Sequence, residues 1–200
     1  MGKAAKGSDF ERELCRRLSR WWTGGERDDI FWRTSQSGGR ATQRSKKDLK
    51  TFGSYGDIAA VDPIGQPLMK MFTIELKRGS SYGTPGDLLD FKPINSKHPW
   101  VVCLEQAIRS HEQAGSLAWM MICRRDHRLP VVFLESRIFK WLRDGSPVVG
   151  SVNFMRFSLA IREEKGYLKN IFFSGIPLEF FLASVLPRQI IHLVKSKSYK

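Results

Sequence analysis

Cysteine is scarce in this chain. Cys15, Cys103 and Cys123 lie far apart and form no Cys-x-x-Cys pair, which excludes a disulfide framework and a thiolate zinc site. Reduced thiols in a cytoplasmic protein are the simplest account. The four histidines (His98, His111, His127, His192) are scattered, without zinc or HNH spacing. No P-loop, Gly-x-Ser-x-Gly or Gly-x-Gly-x-x-Gly motif occurs, so nucleotide hydrolysis and serine chemistry have no foothold. No apolar run approaches ~20 residues, the length of a membrane-spanning helix. The start, Met1 to Lys6, has no apolar leader core and no Ser or Thr at position 6 for myristoylation. A cytoplasmic location with no membrane partner is expected. Internal repeats and low-complexity tracts are also absent.

Acidic residues are in deficit. Lys+Arg number 33 and Asp+Glu 20, a net charge of +13, which favours a polyanionic partner. A chain of 200 residues with 42% hydrophobic content suits one folded domain with room for an appendage. It can bury a core without staples.

Phe10, Leu14, Leu18 and Trp21 recur at helical spacing and predict an amphipathic helix over 8–22. Ser8 or Asp9 is the expected cap, with Glu11 completing a capping box, and Thr23-Gly24-Gly25 the expected end. Arg12, Arg16, Arg17 and Arg20 crowd its other surface. Phe31-Trp32-Arg33 predicts a short strand. Residues 34–56 lack apolar periodicity, and between Arg33 and Lys50 six basic residues against Asp48 leave a net of +5. A long loop of this kind is functional or disordered. Trp21, Trp22, Phe31 and Trp32 suit either a core or stacking on bases.

A hairpin is predicted next, from a strand at Asp57–Val61, a turn at Asp62–Gln66 and a strand from Pro67 to Lys77. After a loop over 79–99 with a short turn at Asp87–Leu89 come a helix over 100–112 and strands at 118–123 and 131–134. A short helix over 136–142 follows. The last third predicts strands near 152–161 and 167–173, a helix near 177–186 and a final strand near 189–194.

Along Phe72-Thr73-Ile74-Glu75-Leu76-Lys77, strand alternation sends Phe72, Ile74 and Leu76 to a core and Glu75 and Lys77 to the other face, their Cα atoms roughly 7 Å apart. Asp57, opening the preceding strand of the hairpin, stands beside them. Carboxylate oxygens suit Mg²⁺, which keeps waters and needs few protein ligands. A lysine there orients or deprotonates a water, or stabilises charge on a phosphate. The acidic-x-Lys pattern occurs four times: Asp48-Lys50, Glu75-Lys77, Asp90-Lys92 and Glu163-Lys165. Only Glu75-Lys77 continues an apolar strand and follows an acidic residue across a turn. The alternative is a solvated sheet face. Gln106, on the following helix, is a candidate to face the same site, with a solvated helix face the favoured reading.

Lys6-Gly7-x-x-x-Glu11-Arg12-Glu13-Leu14, Arg33, Gly56-Asp57-Ile58 and Ile74-Glu75-Leu76-Lys77 occur in this order. The series resembles the archaeal Holliday-junction resolvases and related PD-(D/E)xK nucleases over residues 6–77, and weakly to about 134. The resemblance implies an α/β fold, a central mixed sheet flanked by helices as in restriction endonucleases. It implies a Mg²⁺ (or Mn²⁺) site at Asp57 and Glu75, Lys77 as catalytic lysine, a helix-one glutamate at Glu11 and an arginine near the site at Arg33. It also implies branched DNA as substrate, a role in DNA recombination and repair, and, because resolvases cut two strands, a homodimer. The resolvases are shorter, lack the basic insert at 38–55, and offer no counterpart for the C-terminal ~60 residues.

Glu11 is also favoured by helix geometry. At 100° per residue the apolar stripe centres about 50° round from Phe10, leaving Glu11 about 50° from that centre and Glu13 about 110° away. A helix-start capping role is the alternative. The expected organisation is a nuclease core over 1–140, with the basic loop 33–56, and an α+β extension over 141–200 packed on it. Arg33, Arg40, Arg44, Lys46, Lys47, Arg16 and Arg20 are the expected DNA-backbone contacts. The expected activity is Mg²⁺-dependent hydrolysis of DNA phosphodiesters, structure-selective because no segment reads as a base-contacting helix. A sequence-specific restriction-type endonuclease and a non-catalytic basic nucleic-acid-binding module are the alternatives.

Overall fold

The computed structural model describes residues 3–34, 55–90, 98–144, 154–162 and 168–197. Helix α1 spans Lys3–Trp22, beginning five residues before the expected cap. Lys3, Ala4, Ala5 and Lys6 are strong helix formers, so the helix runs through Ser8 and Asp9 and no capping box forms there. Its stripe is the expected one: Phe10, Leu14, Leu18 and Trp22 are buried with Cys15, and Trp21 packs against the same core. Trp22 and Phe31 meet edge to face at 6.0 Å, so two of the four aromatics are core, whereas Trp32 is 60% exposed.

Strand β1 (Phe31–Arg33) pairs antiparallel with β2 (Ile58–Ala60), Arg33 opposite Ile58. The expected hairpin of 57–61 with 67–77 does not form. After a 3-10 turn at Pro63–Gly65, residues Gln66–Met71 make helix α2. Pro67 sits in its first turn. A proline there loses no helical hydrogen bond, whereas in a ladder it removes a donor. Leu68 and Met71, three apart, bury the inner side of that helix.

Strand β3 (Phe72–Arg78) then pairs parallel with β4 (Ala118–Arg124), Glu75 opposite Met121 and Lys77 opposite Cys123. Parallel neighbours need a crossover, which helix α3 (Pro99–Ala114) provides. Strand β5 (Val131–Glu135) runs antiparallel to β4, helix α4 (Ser136–Asp144) follows it, and β7 (Leu168–Pro177) and β6 (Met155–Arg162) extend the sheet antiparallel. The order is β3-β4-β5-β7-β6, a mixed sheet flanked by helices. The C-terminal third thus contributes two strands to the central sheet as well as helices α5 (Leu178–Ser184) and α6 (Pro187–Lys197). The last of these replaces the expected strand at 189–194. Ile190, Leu193 and Val194 are buried at three- and four-residue spacing, a helical period that β-branched content disguised.

Alternation along the strands divides the interior in two. Phe72, Ile74 and Leu76 join Met120, Ile122, Val132 and Leu134 on the α1 side. Trp119, Met121, Cys123 and Phe133 face α3, packing with its Trp100, Leu104 and Ala107. Glu75 and Lys77 point to this second side.

Candidate active site

Strand β3 borders the five-stranded sheet, with β4 on one side. Its other edge is met by Asp57. The Asp57 backbone N–H donates to the Ile74 carbonyl at 2.8 Å, and the Leu76 N–H donates to Asp57 Oδ2 at 2.7 Å. Asp57 therefore answers two edge groups of β3 that would otherwise want partners, its backbone anchored at Ile74 and its carboxylate at Leu76, on either side of Glu75. The expected neighbourhood is present, reached through edge pairing instead of a hairpin.

Thr34 and Gly56 hold Asp57 in place. The Thr34 N–H donates to the Asp57 carbonyl at 3.0 Å, and the Thr34 hydroxyl to the Gly56 carbonyl at 2.9 Å. Gly56 has φ +74°, and a β-carbon there would lie 2.7 Å from the Ile74 oxygen. Both the left-handed backbone and the close approach demand glycine. Gly56→Ala is expected to cost about 1–3 kcal/mol, seen as a lowered urea midpoint. An unchanged midpoint would mean that the 55–57 segment adapts freely.

Glu75 is only 2% exposed. Its Oε1 accepts from Ser110 Oγ at 2.9 Å, and its Oε2 accepts from Gln106 Nε2 at 3.0 Å and Lys77 Nζ at 3.2 Å. Lys77 also donates to Gln106 Oε1 at 3.0 Å. Gln106 thus reaches the site, where the sequence favours a solvated helix face, and the residue stays exposed. Ser110 was missed, although its place one turn after Gln106 puts both on one helix face.

Burial and the neighbouring Glu75 charge push the Asp57 carboxyl up to about 7, against the Leu76 N–H and the Lys77 ammonium, which pull it down. Burial lowers the Lys77 pKa, but the charges of Glu75 and Asp57 outweigh it, so the net shift is upward. Lys77 is therefore held as an ammonium beside the two carboxylates. Cys15 is buried beside the cluster, its thiol pushed up to about 12 by burial and then by the Glu11 charge. It is not a nucleophile.

Glu11, its side chain 18% exposed, lies 3.5 Å from Arg33 Nη1, and Arg33 also donates to Ser8 at 2.7 Å. The Glu11 charge acts on Asp57, in the same direction as that of Glu75. Glu13 turns away and pairs with Arg124 at 2.9 Å. Among the expected DNA contacts, Arg16 and Arg20 are exposed. Arg20 pairs with Asp28 at 3.1 Å. Arg40, Arg44, Lys46 and Lys47 lie outside the described residues.

Among the described residues no group of three or more His, Cys, Asp or Glu side chains gathers as a metal cage. What the site offers is two hard carboxylates, Asp57 and Glu75. The raised Asp57 pKa marks a buried pair whose charges are not fully compensated, and a cation would relieve this. The donor set fits Mg²⁺ or Mn²⁺, which keep several waters and take one or two carboxylates. No helix of the described residues is long and apolar enough to cross a membrane.

The family described as "Phage putative PDDEXK endonuclease" matches residues 2–192. No curated protein and no solved structure matches the chain. The match runs through β6, β7 and α5, so the C-terminal third falls within the family's extent. Nucleases of this kind generally use divalent metals, and the mixed sheet with flanking helices is the restriction-endonuclease-like fold. The chain belongs to the phage PDDEXK endonuclease family.

Proposed function

We propose that this protein is a Mg²⁺- or Mn²⁺-dependent endodeoxyribonuclease, with Asp57 and Glu75 holding the metal and Lys77 acting on the scissile phosphate. The observation that carries the reading is the convergence of Asp57, Glu75 and Lys77 at the outer edge of β3, with Glu75 held by three donors. A divalent cation held by Asp57 and Glu75 would polarise the phosphate and make a water more acidic. Lys77, kept protonated by its carboxylate neighbours, donates toward the negative charge that develops on the phosphoryl oxygens. Gln106 keeps the Lys77 ammonium in line with Glu75. Glu11, beside Arg33 at the edge of the α1 stripe, faces the Asp57 side and orients water there. Arg33 is occupied by Glu11 and Ser8 and supports this arrangement.

The basic surface binds the DNA backbone, through Arg16 and Arg20 of α1 and through Arg40, Arg44, Lys46 and Lys47. Such contacts position a duplex and carry little sequence information. The substrate we favour is branched DNA, because two separate basic segments suit two duplex arms and the Lys6–Leu14 and Glu75–Lys77 segments resemble junction resolvases. Paired cuts across a junction call for two active sites, hence a homodimer.

The test is cleavage of a labelled four-way junction against excess unlabelled junction or linear duplex, with and without Mg²⁺, near physiological salt to suppress non-specific binding. Mg²⁺-dependent cutting, suppressed by junction competitor and spared by duplex, is expected. Equal protection by both competitors would remove the junction preference and leave a general endonuclease. A discrete fragment pattern from plain duplex would favour a restriction-type enzyme. In the same system, replacing Arg40, Arg44, Lys46 and Lys47 together by alanine is expected to flatten the log affinity–log salt slope by roughly 3 to 4 units, at about 0.9 for each phosphate no longer neutralised. An unchanged slope would mean that residues 40–47 do not touch the DNA backbone.

A further inference from the structure

The hydrogen bonds around Glu75 limit what that carboxylate can do. A carboxylate has about four lone-pair sites. Ser110 Oγ takes one on Oε1, and Gln106 Nε2 and Lys77 Nζ take two on Oε2, so one acceptor site is left, on Oε1. Two of the donors share a helix packed on the sheet. Gln106 and Ser110 are four residues apart on α3, whose Trp100, Leu104 and Ala107 are buried against the sheet. The Trp100 N–H donates to the His98 ring at the start of that helix, at 3.1 Å. Beyond its end, the Ser116 and Thr73 hydroxyls meet at 2.8 Å, tying the segment to the start of β3. Lys77 is tied in turn to Gln106, so a shift of one donor disturbs the others.

We propose that Ser110 is a positioning residue for metal binding: Gln106 and Lys77 close Oε2 and leave Glu75 a one-oxygen ligand, and Ser110 fixes the remaining oxygen, Oε1, in place, which selects a small octahedral cation over Ca²⁺. The proposal rests on the nuclease reading above. Its chemical basis is the difference between the two ions. Mg²⁺ and Mn²⁺ are satisfied by single carboxylate oxygens at short, regular distances, whereas Ca²⁺ takes more ligands, at longer distances and often two from one carboxylate. A Glu75 carboxylate whose Oε2 is already occupied cannot offer both oxygens. Without the Ser110 hydroxyl, Glu75 is held from the Oε2 side alone, and Oε1 loses the bond that fixes its position. A flexible Ca²⁺ shell tolerates that loss better than an octahedral one.

The experiment titrates Mn²⁺ and Ca²⁺ separately into the full chain by calorimetry, without DNA, alongside thermal unfolding. Wild type, Ser110→Ala and Ser110→Thr are compared. Ser110→Ala is expected to weaken Mn²⁺ binding by roughly tenfold, the lower end for loss of an outer-shell partner, and Ca²⁺ binding by no more than about threefold. The Mn²⁺/Ca²⁺ preference then narrows, and Ser110→Thr, which keeps the hydroxyl, restores it. An unchanged preference in Ser110→Ala, or equal losses for both ions together with a lowered melting temperature, would overturn the proposal. If wild type binds Mn²⁺ and cuts DNA while Ser110→Ala does both equally well, only the positioning role falls. If wild type neither binds Mn²⁺ nor cuts DNA, the nuclease reading falls with it.

Discussion

Glu75→Ala is expected to reduce Mg²⁺-dependent DNA cleavage by at least ~10³-fold, the upper range for removing one electrostatic element from an active site. Asp57→Ala and Lys77→Ala are expected to do the same, because the three side chains converge on one edge of β3. Such losses are not additive within one cluster, so the triple variant should be little worse than any single one. DNA affinity without divalent metal should stay within a few-fold, since none of the proposed backbone contacts is among the three replaced residues. Glu75→Ala also strips an acceptor from Ser110, Gln106 and Lys77 in a buried place. Glu75→Gln, which keeps the volume, is therefore the companion variant, and circular dichroism checks both. Lys77→Arg should not rescue, because a larger planar guanidinium cannot repeat the ammonium's two bonds to Glu75 and Gln106 in the same space. Cleavage within tenfold of wild type in a folded Glu75→Gln protein would refute the site assignment.

Metal-free protein should lose stability as pH rises from about 4 through about 7. Burial and the Glu75 charge raise the Asp57 carboxyl from 3.8 to about 7, so the fold prefers the protonated form. This contribution is fully present below the unfolded value and disappears as pH passes through the folded one. At 1.36 kcal/mol per pH unit, a rise of about three units makes ionised Asp57 cost the metal-free fold on the order of 4 kcal/mol by pH 8. Asp57→Asn removes that cost and keeps an oxygen for the Leu76 N–H. In EDTA at pH 8 it should melt roughly 8–16 °C higher than wild type, at ~2–4 °C per kcal/mol for a chain of this length. Near pH 4 the two should melt together. Adding Mg²⁺ at pH 8 should raise wild type and leave Asp57→Asn unmoved, because binding to the native state alone stabilises it. A pH-independent difference between the two proteins would mean that Asp57 titrates normally and carries no electrostatic load.

Much of this site was legible in local pattern. The alternation of Phe72, Ile74 and Leu76 with Glu75 and Lys77 needs nothing beyond the pleat of a strand, and the faces are as expected. The α1 stripe distinguishes Glu11 from Glu13 by angle alone, and Glu13 indeed turns to Arg124. The misreadings share one cause. The capping box at Ser8, the strand from Pro67 and the strand at 189–194 each rest on a few residues. Neighbouring helix formers, a proline in a first helical turn and buried contacts at three- and four-residue spacing decide otherwise.

By itself, the sequence determined composition, charge, the polarity of each strand face and the presence of an acidic pair with a lysine. These depend on residue identity and on periods of two or 3.6 residues, which are local. Tertiary structure alone decided how Asp57 reaches Glu75, because edge pairing onto β3 joins groups far apart in sequence through Gly56 and Thr34. It also decided that Ser110 and Gln106 close over Glu75, since that requires the parallel crossover to lay α3 on β3. The raised pKa of Asp57 is likewise tertiary. It arises from withdrawing a charge from water and setting it beside another, and neither is a property of the residue or of its neighbours in the chain.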